Sequence, residues 1–540
     1  MTRTSTLLGP AWRLALLGLA VLCLATPALA QEGSRFELYS WEGSRGDYRY
    51  VVLPEQTPTL THAKVTAASH DVVGIVAELE KLPRGATLTW LTRKQLEARW
   101  GAAARPFGQA LPRAQMRVRA ACARTGVTLL GLGSRRSVIY FIGDGMGVSQ
   151  VTLGRMGAAA AKQPYHLDRF KSLGLSSTRS ASHPVTDSAA GATALAAGIK
   201  TYNKAIGVDT EKRPVRTILE AAHDAGYVTG LVTTTRITHA TPACFVAKVD
   251  HRSKEKEIAQ QMAAKGYPEV LIGGGARNFD DLLLQRFRGQ GFEVITERQQ
   301  LAAAKGGKIV ALIAGSHVPY VVDEGPVLES LTAKAVELLS AQGPFFLMVE
   351  GGRVDHGGHQ HDAVSVLTEQ LDLDRAVGWA LDRAQRDRDL LVVLTADHAT
   401  GNLGITENAK FGEMLRAKAS STQLAKETKP KPGETAALAK AVKETHGFEL
   451  SAEELAFVTK HPKDGYWAGT ALGHVLSHRY GIEFYDADHQ QQALTNTHGH
   501  DGGMVPVFAY GPGAETFQGI YENTEIPKKI AAILGLTGTQ

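Results

Sequence analysis

From residue 137 onward, the sequence alternates short apolar runs with amphipathic segments. The apolar runs have the length of buried strands and lie at 137–142, 228–233, 269–272, 308–313, 345–349, 390–395 and 506–510. Intervening segments with helical periodicity include 215–225, 327–340 and 363–386. Apolar strands that alternate with helices are typical of a mostly parallel sheet covered on both faces. We therefore predict an α/β fold, a three-layer sandwich with a large, mostly parallel central sheet flanked by helices.

The first 30 residues have the features of an export signal. Arg3 and Arg13 precede an apolar run at 14–25, and the small residues Ala28 and Ala30, on either side of Leu29, offer a cleavage site before Gln31. The run is too short to be a convincing membrane span. We expect an exported protein, periplasmic or secreted, whose mature chain has no membrane span.

The composition of the mature chain limits the classes of partner it can bind and the covalent links it can form. Removing the leader lowers the formal net charge from +5 to +3, which gives no electrostatic footprint for nucleic acid. A content of 44% hydrophobic residues is sufficient for a large core. Two cysteines remain, Cys122 and Cys244, and the sequence leaves open whether they form a disulfide or stay as buried thiols.

Two regions lie outside the alternating pattern. Residues 31–133 predict a small α+β accessory domain of unknown role, with a hairpin at 36–40 and 48–53, a strand at 87–91 and helices at 71–81 and 114–124. Residues 405–494 are helical and rich in Lys and Ala, as an insertion or lid would be. The main domain therefore covers 134–540 and contains this helical insertion.

Acidic residues follow several predicted strands. Asp144, Glu350 and Asp397 each lie within a few residues of the carboxyl end of an apolar run. Open α/β sheets hold their ligands at this edge. Carboxylates buried there would be costly unless a cation compensates their charge.

Histidines accompany these carboxylates. Asp355 and His359 have the spacing of one helical turn, Asp397 and His398 are adjacent, and His500 lies in a Gly-rich loop before the last strand. Carboxylate and imidazole together suit zinc. Each feature also has an ordinary explanation: a surface pair, an aspartate that caps a turn, or a solvated loop histidine. Several such coincidences at strand ends favour a polynuclear metal site.

A candidate nucleophile begins a helix of small residues at 187–194. Asp187 or Ser188 could simply be the N-cap of this helix. The same geometry attracts phosphate, because free backbone N–H groups point out of a helix N-terminus. No Gly-x-Ser-x-Gly motif surrounds Ser188, so we expect a metal to activate its hydroxyl.

Taken together, these segments resemble the alkaline phosphatase family. The resemblance covers about 137–404 and about 497–536, and its motifs are VTDSAA at 185–190, GIKTYN at 198–203 and ATP at 240–242. It implies a phosphomonoesterase that acts on small phosphate esters and uses two zinc ions and one magnesium ion. It is compatible with a homodimer but does not decide the oligomeric state of this protein.

The resemblance also implies ligands for each ion. Those of the first zinc ion would be Asp355, His359 and His500. Those of the second, which also contacts the nucleophile, would be Asp144, Asp397 and His398. Those of the third ion, normally magnesium, would be Asp144, Thr241 and Glu350.

The remaining roles concern phosphate. Ser188 would attack the ester to form a phosphoserine, which water then hydrolyses. Arg252 would clamp the phosphate, and Asp187 would orient Arg252. The family differs at two positions beside the ligands, occupied here by His239 and His356. These imidazoles could favour zinc over magnesium at the third site.

Two other functions remain open. One is a phosphodiesterase or sulfatase on the same superfamily core, although Ser188 with Arg252 and Glu350 favours monoesters. The other is a binding or attachment protein with a relic catalytic core. Relics commonly lose a nucleophile or ligands, whereas every expected position is present here.

Overall fold

The computed structural model describes the backbone of four strands before residue 131 and, in full, residues 136–461, 466–485 and 499–536. The chain divides into two compact units, Met1–Arg135 and Arg136–Gln540. The predicted leader at 1–30, the predicted helices at 71–81 and 114–124, and Cys122 lie outside the described residues. Cys244 is a buried free thiol.

The first unit contains a four-stranded sheet of order β2-β1-β3-β4. Its strands are β1 Arg35–Glu42, β2 Tyr48–Pro54, β3 Thr87–Trp90 and β4 Thr128–Leu130. The antiparallel pairing of β1 with β2 is the predicted hairpin. The other neighbouring strands are parallel, and β4 was not predicted.

The second unit is built on a ten-stranded sheet of order β18-β6-β17-β12-β5-β11-β7-β8-β10-β9. The strands are β5 Ser137–Gly143, β6 Ser172–Ser177, β7 Val228–Arg236, β8 Val270–Gly274, β9 Glu293–Ile295, β10 Ile309–Leu312, β11 Phe345–Gly351, β12 Leu390–Thr395, β17 Val505–Tyr510 and β18 Gly519–Glu522. β17 alone runs antiparallel to its neighbours. The predicted large, mostly parallel sheet is therefore confirmed.

Helices cover this sheet. Those that precede β12 in the chain are α1 Val148–Ala160, α2 Ser188–Ala197, α3 Ile218–Asp224, α4 Ala240–Cys244, α5 Glu255–Lys265, α6 Asp281–Gly289, α7 Arg298–Leu301, α8 Val321–Glu324, α9 Leu328–Ser340, α10 Arg353–His359 and α11 Ala363–Arg386. α11 has the predicted bounds. It begins where the Asp362 side chain accepts a hydrogen bond from the Ser365 N–H, which caps the helix.

The helical segment after β12 is enclosed by a short ladder. β14 Gly404–Ile405 pairs antiparallel with β15 Ile482–Glu483, so the chain returns close to the point where it left. Between them lie α12 Phe411–Met414, α13 Ser421–Thr428, α14 Ala436–His446, α15 Ala452–Val458 and α16 Trp467–Arg479. Within 405–461 and 466–485, which the structure describes, this agrees with the helical character predicted for 405–494.

A second short ladder brings two distant loops together. β13 Ala399–Thr400 pairs antiparallel with β16 His500–Asp501, and the last helix, α17 Glu525–Leu534, follows β18. Of the helices in the described part of the chain, none has both the length and the apolar character that crossing a membrane requires.

Candidate metal centre

The candidate ligands lie at one edge of the ten-stranded sheet. Ile142 of β5 is paired with Glu350 of β11 on one side and with Thr395 of β12 on the other. Asp144 follows β5 directly, and Asp397 follows β12 after one residue. Because parallel strands end together, three carboxylates from distant parts of the sequence meet at this edge.

The first candidate set consists of Asp355, His359 and His500. Asp355 and His359 lie one turn apart on α10, with 3.3 Å between Asp355 Oδ2 and His359 Nε2. The pairing of β16 with β13 brings His500 opposite Thr400. His500 Nε2 then lies 3.1 Å from His359 Nε2 and 3.5 Å from Asp355 Oδ1.

The second set consists of Asp144, Asp397 and His398. His398 Nε2 lies 3.3 Å from Asp144 Oδ1 and 3.2 Å from Asp397 Oδ2. The Oγ of Ser188 lies 3.2 Å from the same nitrogen. Three ligand atoms and the serine hydroxyl therefore converge on one point.

The third set shares Asp144 with the second. Possible ligand atoms of Asp144, Glu350 and His239 all lie within 4.8 Å of one another, and Thr241 Oγ1 is 3.5 Å from Asp144 Oδ2. The sequence predicted Thr241 as a ligand and His239 only as a neighbour. The structure adds the imidazole of His239 to the candidate ligands.

The burial of these groups fits divalent cations. The four carboxylates of Asp144, Glu350, Asp355 and Asp397 are at most 2% exposed. Asp144 Oδ1, Asp397 Oδ2, Glu350 Oε1 and His239 Nδ1 are buried without a hydrogen-bond partner. Burying ionised groups without compensation is very costly. Oxygen and nitrogen donors of this kind suit zinc and magnesium.

Burial also shifts the pKa values of the groups in this cluster. Burial, and then the negative charge of Asp397, raises the pKa of Asp144 well above its usual value. Burial, and then Asp355, does the same to the pKa of Asp397. Burial lowers the pKa of His398 to about 4, which keeps its imidazole neutral and able to bind a metal. Bound cations would relieve the repulsion between the carboxylates.

The N-terminus of α2 holds the serine and its neighbours. Asp187 Oδ1 accepts hydrogen bonds from the backbone N–H of Ala190 at 3.0 Å and of Lys204 at 2.9 Å. Asp187 Oδ2 accepts one from Arg252 Nη1 at 3.1 Å. Asp187 thus both caps the helix and holds the guanidinium beside Ser188. Its predicted role as an N-cap and its predicted role in orienting Arg252 are therefore compatible.

Several residues that complete the site were not predicted. Thr233 and Thr235 at the end of β7 donate hydrogen bonds from Oγ1 to Glu350 Oε2, the second at 3.0 Å. Thr400 Oγ1 donates to Asp355 Oδ1 at 2.6 Å. The His317 ring is 4.3 Å from that of His356. The run of three threonines at 233–235, at a strand end, was an available signal.

These observations define a class of protein. The α/β sheet carries, at the carboxyl ends of its strands, a buried cluster of carboxylates and imidazoles beside a serine at a helix N-terminus. A site of this kind is that of a metal-dependent hydrolase that acts on phosphate groups.

Comparisons with known proteins identify the family. The family model described as Alkaline phosphatase matches residues 135–536. The chain is 36% identical over 416 residues to Alkaline phosphatase 3 of Bacillus subtilis, covering 73% of this chain and 88% of that protein. The chain belongs to the alkaline phosphatase family, and the protein is a phosphatase.

Solved structures agree. A cold-active alkaline phosphatase from a Shewanella species is 32% identical, covers 74% of this chain and 99% of its own, and superposes with a TM-score of 0.65. A TAB5 alkaline phosphatase variant, with a histidine replaced by glutamate and Mg bound in its M3 site, is 31% identical. The match covers 75% of this chain and 99% of that one, with a TM-score of 0.57.

Proposed function

We propose that this protein is an exported phosphomonoesterase that hydrolyses small phosphate monoesters to an alcohol and inorganic phosphate through a phosphoserine at Ser188. The observation that carries the proposal is the convergence of Asp144, Asp397 and His398 on the Ser188 hydroxyl. His398 Nε2 lies within 3.3 Å of the nearest oxygen of each of the other three side chains. A serine placed among metal ligands can be deprotonated without a general base.

The residues of the chain prepare the phosphate site. Asp187 holds Arg252 through the 3.1 Å ion pair, so the guanidinium is oriented before substrate arrives. An arginine can bind two phosphate oxygens at once, which aligns the phosphorus with the attacking oxygen. The N-terminus of α2 favours the negative charge of the same group.

The candidate ligands would hold two zinc ions and one magnesium ion. Asp355, His359 and His500 would hold the first zinc ion, and Asp144, Asp397 and His398 would hold the second. Asp144, Thr241 and Glu350 would hold the third ion. When bound, two neighbouring divalent ions stabilise the attacking and leaving oxygens of an in-line displacement.

The third ion could instead be zinc, because His239 lies among the ligand atoms of this set. Replacement of a histidine by glutamate accompanies Mg bound in the M3 site of the TAB5 enzyme. We expect His239→Asp to raise the ratio of magnesium to zinc measured in the purified protein. An unchanged ratio would show that His239 does not select the third ion.

Steady-state kinetics on matched aryl esters test the function. We expect kcat/KM for 4-nitrophenyl phosphate to exceed that for bis(4-nitrophenyl) phosphate and for 4-nitrophenyl sulfate. A higher value for the diester or the sulfate would replace our proposal with the corresponding superfamily activity. Acid quenching during turnover, followed by peptide mass spectrometry, should find the phosphoryl group on Ser188, and its location on another residue would reject the mechanism.

A further inference from the structure

The metal-ligand helix α10 has little stability of its own. It spans seven residues, Arg353–His359, with two adjacent glycines in its second half, and Gly352 at its N-cap has no side chain to cap the first turn. Short helices are marginal in isolation, and each glycine lowers helix stability further. The positions of Asp355 and His359 must therefore be fixed by the elements that pack against α10 and its ends.

The connector from α10 to α11, residues 360–362, contains an unfavourable backbone conformation. Its three residues are at most 5% exposed. His361 has a φ of 50°, in the left-handed region that residues with a Cβ rarely adopt. Such a conformation persists only where the surrounding structure imposes it. Because His361 is two residues from the candidate ligand His359, relaxation of the connector would displace that end of α10.

One serine of the helical segment bridges the connector. Ser477 of α16 donates from Oγ to His361 O at 2.7 Å and accepts from the Ala363 N–H at 2.8 Å. All three residues are buried. The hydroxyl therefore satisfies the carbonyl of the left-handed residue and an N–H in the first turn of α11, which has no partner within that helix.

Further contacts join the same elements. The Asp362 carboxylate, whose Oδ1 caps α11, accepts at Oδ2 from the Ser421 N–H of α13 at 2.7 Å. A Cβ at Gly473 of α16 would clash with the carbonyl oxygen of Gln360, so the glycine allows α16 to lie directly against the connector. The helical segment thus contacts every residue of the connector.

The end of the helical segment contacts the other half of the first candidate set. The ring of Phe484, just after β15, stacks on that of His361 with the centroids 5.2 Å apart. Tyr485 N donates to Gly401 O at 3.0 Å. Gly401 directly follows β13, whose partner strand β16 carries His500. One segment therefore reaches both the helix and the ladder that supply the ligands of this set.

We propose that the helical segment is a fixed scaffold for the first metal set rather than a lid, and that Ser477 is a positioning residue that holds His359 through the backbone of His361. The inference rests on the zinc ligands of the proposed function. The bridge keeps the connector in its left-handed turn, so α10 presents Asp355 and His359 to the ion without rearrangement. A lid would have to break these buried hydrogen bonds each time it opened.

Two buried serines of the helical segment provide a matched test. Ser477→Ala removes both hydrogen bonds to the connector. Ser421→Ala is the control, because Ser421 Oγ is also buried but has no hydrogen-bond partner in the described residues, and the backbone N–H that binds Asp362 remains. The zinc-loaded proteins are diluted into an excess of the chelating dye pyridylazoresorcinol, and zinc release is followed by absorbance.

We expect one equivalent of zinc to leave Ser477→Ala about tenfold faster than it leaves the parent, since groups that orient metal ligands contribute roughly 10- to 100-fold in metal affinity. The other equivalents should keep the parent rate, and Ser421→Ala should release all its zinc at the parent rate. A serine with only a structural role would leave zinc release unchanged wherever the variant is folded. Unchanged release from Ser477→Ala, or equal acceleration in both variants, would overturn the positioning role.

Hydrogen exchange on the parent protein tests the same coupling without a variant. Coupling between two sites is reciprocal, so zinc bound by His359 should stabilise α16 if α16 positions His359. We expect zinc loading of the metal-free protein to slow amide exchange at 473–479 about fivefold or more, and to leave exchange in α6 unchanged. Equal slowing in both helices, or none in α16, would overturn the inference. This measurement decides the question even where Ser477→Ala does not fold.

Failure of the positioning role and failure of the proposed function give different results. If the parent binds zinc and hydrolyses 4-nitrophenyl phosphate but the two serine variants release zinc alike, the positioning role is rejected and the proposed function stands. If the parent retains no zinc after loading, the proposed metal centre fails and the role of Ser477 falls with it.

Discussion

Ser188 is the residue on which the proposed chemistry depends. Its Oγ is buried and 3.2 Å from His398 Nε2, whereas the side chains around it can hold ions without it. We expect Ser188→Ala to lower kcat/KM for 4-nitrophenyl phosphate by about 1,000-fold or more. Zinc content, measured by mass spectrometry of the purified protein, should stay at the parent value because alanine removes one oxygen and suits the helix. Parental turnover would show that another residue is the nucleophile.

Asp187 combines two roles that an asparagine substitution can separate. Asp187→Asn retains an oxygen that can accept from Ala190 and Lys204, so the cap of α2 remains. It removes the charge that holds Arg252. We expect inhibition by inorganic phosphate to weaken about tenfold, the effect of losing roughly 1.4 kcal/mol in binding.

A matched control exists for this change. Asp280 caps α6 by accepting from the Leu283 N–H, and no ion pair involves it in the described residues. Asp280→Asn should therefore leave phosphate inhibition unchanged. Equal inhibition constants in the Asp187 and Asp280 variants would show that Asp187 does not position the arginine.

At the scale of elements, the start of α3 is held by ion pairs whose contribution to stability depends on pH. Glu220 forms a capping box with Thr217, and its carboxylate lies 3.0 Å from Lys248 Nζ and 2.6 Å from Lys265 Nζ. Burial alone would raise its pKa, but the two ammonium groups outweigh burial and lower the pKa below its usual 4.5. A lowered carboxyl pKa stabilises the fold above the unfolded-state pKa, and this stability is lost as pH falls through the folded-state pKa.

We therefore expect Glu220→Gln to lower the free energy of unfolding by about 1–3 kcal/mol at pH 7, since it leaves Lys248 without its partner. Thermal melts from pH 7 to pH 3 should show the largest difference from the parent at neutral pH, with the difference closing below about pH 4.5. Glu444→Gln breaks an exposed 3.9 Å pair and should change little. A Glu220 effect that is constant with pH would argue against the ion pairs as its source.

The central elements could be predicted because their sequences are continuous apolar runs. The carboxylates could be placed at one edge of the sheet because each lies at, or just after, the carboxyl end of one of these runs. β6, β9 and β18 were missed because they lie toward the sheet edges, with exposed residues that interrupt the apolar pattern. β6 alternates buried and partly exposed positions and contains three serines. Such a composition is typical of a loop.

The contacts that complete the site are non-local, which is why Thr400 and His317 were missed. Thr400 and His500 are opposite each other in a ladder of two residues per strand, which is too short to leave a pattern in the sequence. The family resemblance, rather than spacing, connected His500 to Asp355. His317 follows β10 in a loop without apolar periodicity, and only the fold shows that it lies beside His356.

At the scale of the whole molecule, the proposed chemistry is confined to the second unit. Ser188, Arg252 and every candidate ligand lie within Arg136–Gln540, and the family match covers 135–536. The unit begins immediately before its central strand. Ser137 N donates to Asp389 O at 2.9 Å, and Arg136 Nη1 donates to Ile533 O at 3.3 Å.

Deletion of residues 31–133 should therefore spare the catalytic domain. We expect kcat/KM for 4-nitrophenyl phosphate, zinc content and the melting temperature of the shortened protein to remain near the parent values, with kcat/KM within about twofold, because a compact unit with its own core folds independently. A deletion of 31–139 is the matched control. It removes the first three residues of β5, which pairs with both β11 and β12, and should yield protein that does not fold. If the shorter deletion keeps its metal and its melting temperature but loses more than about tenfold in kcat/KM, the first unit contributes to substrate binding or turnover, and the site is not complete within residues 136–540.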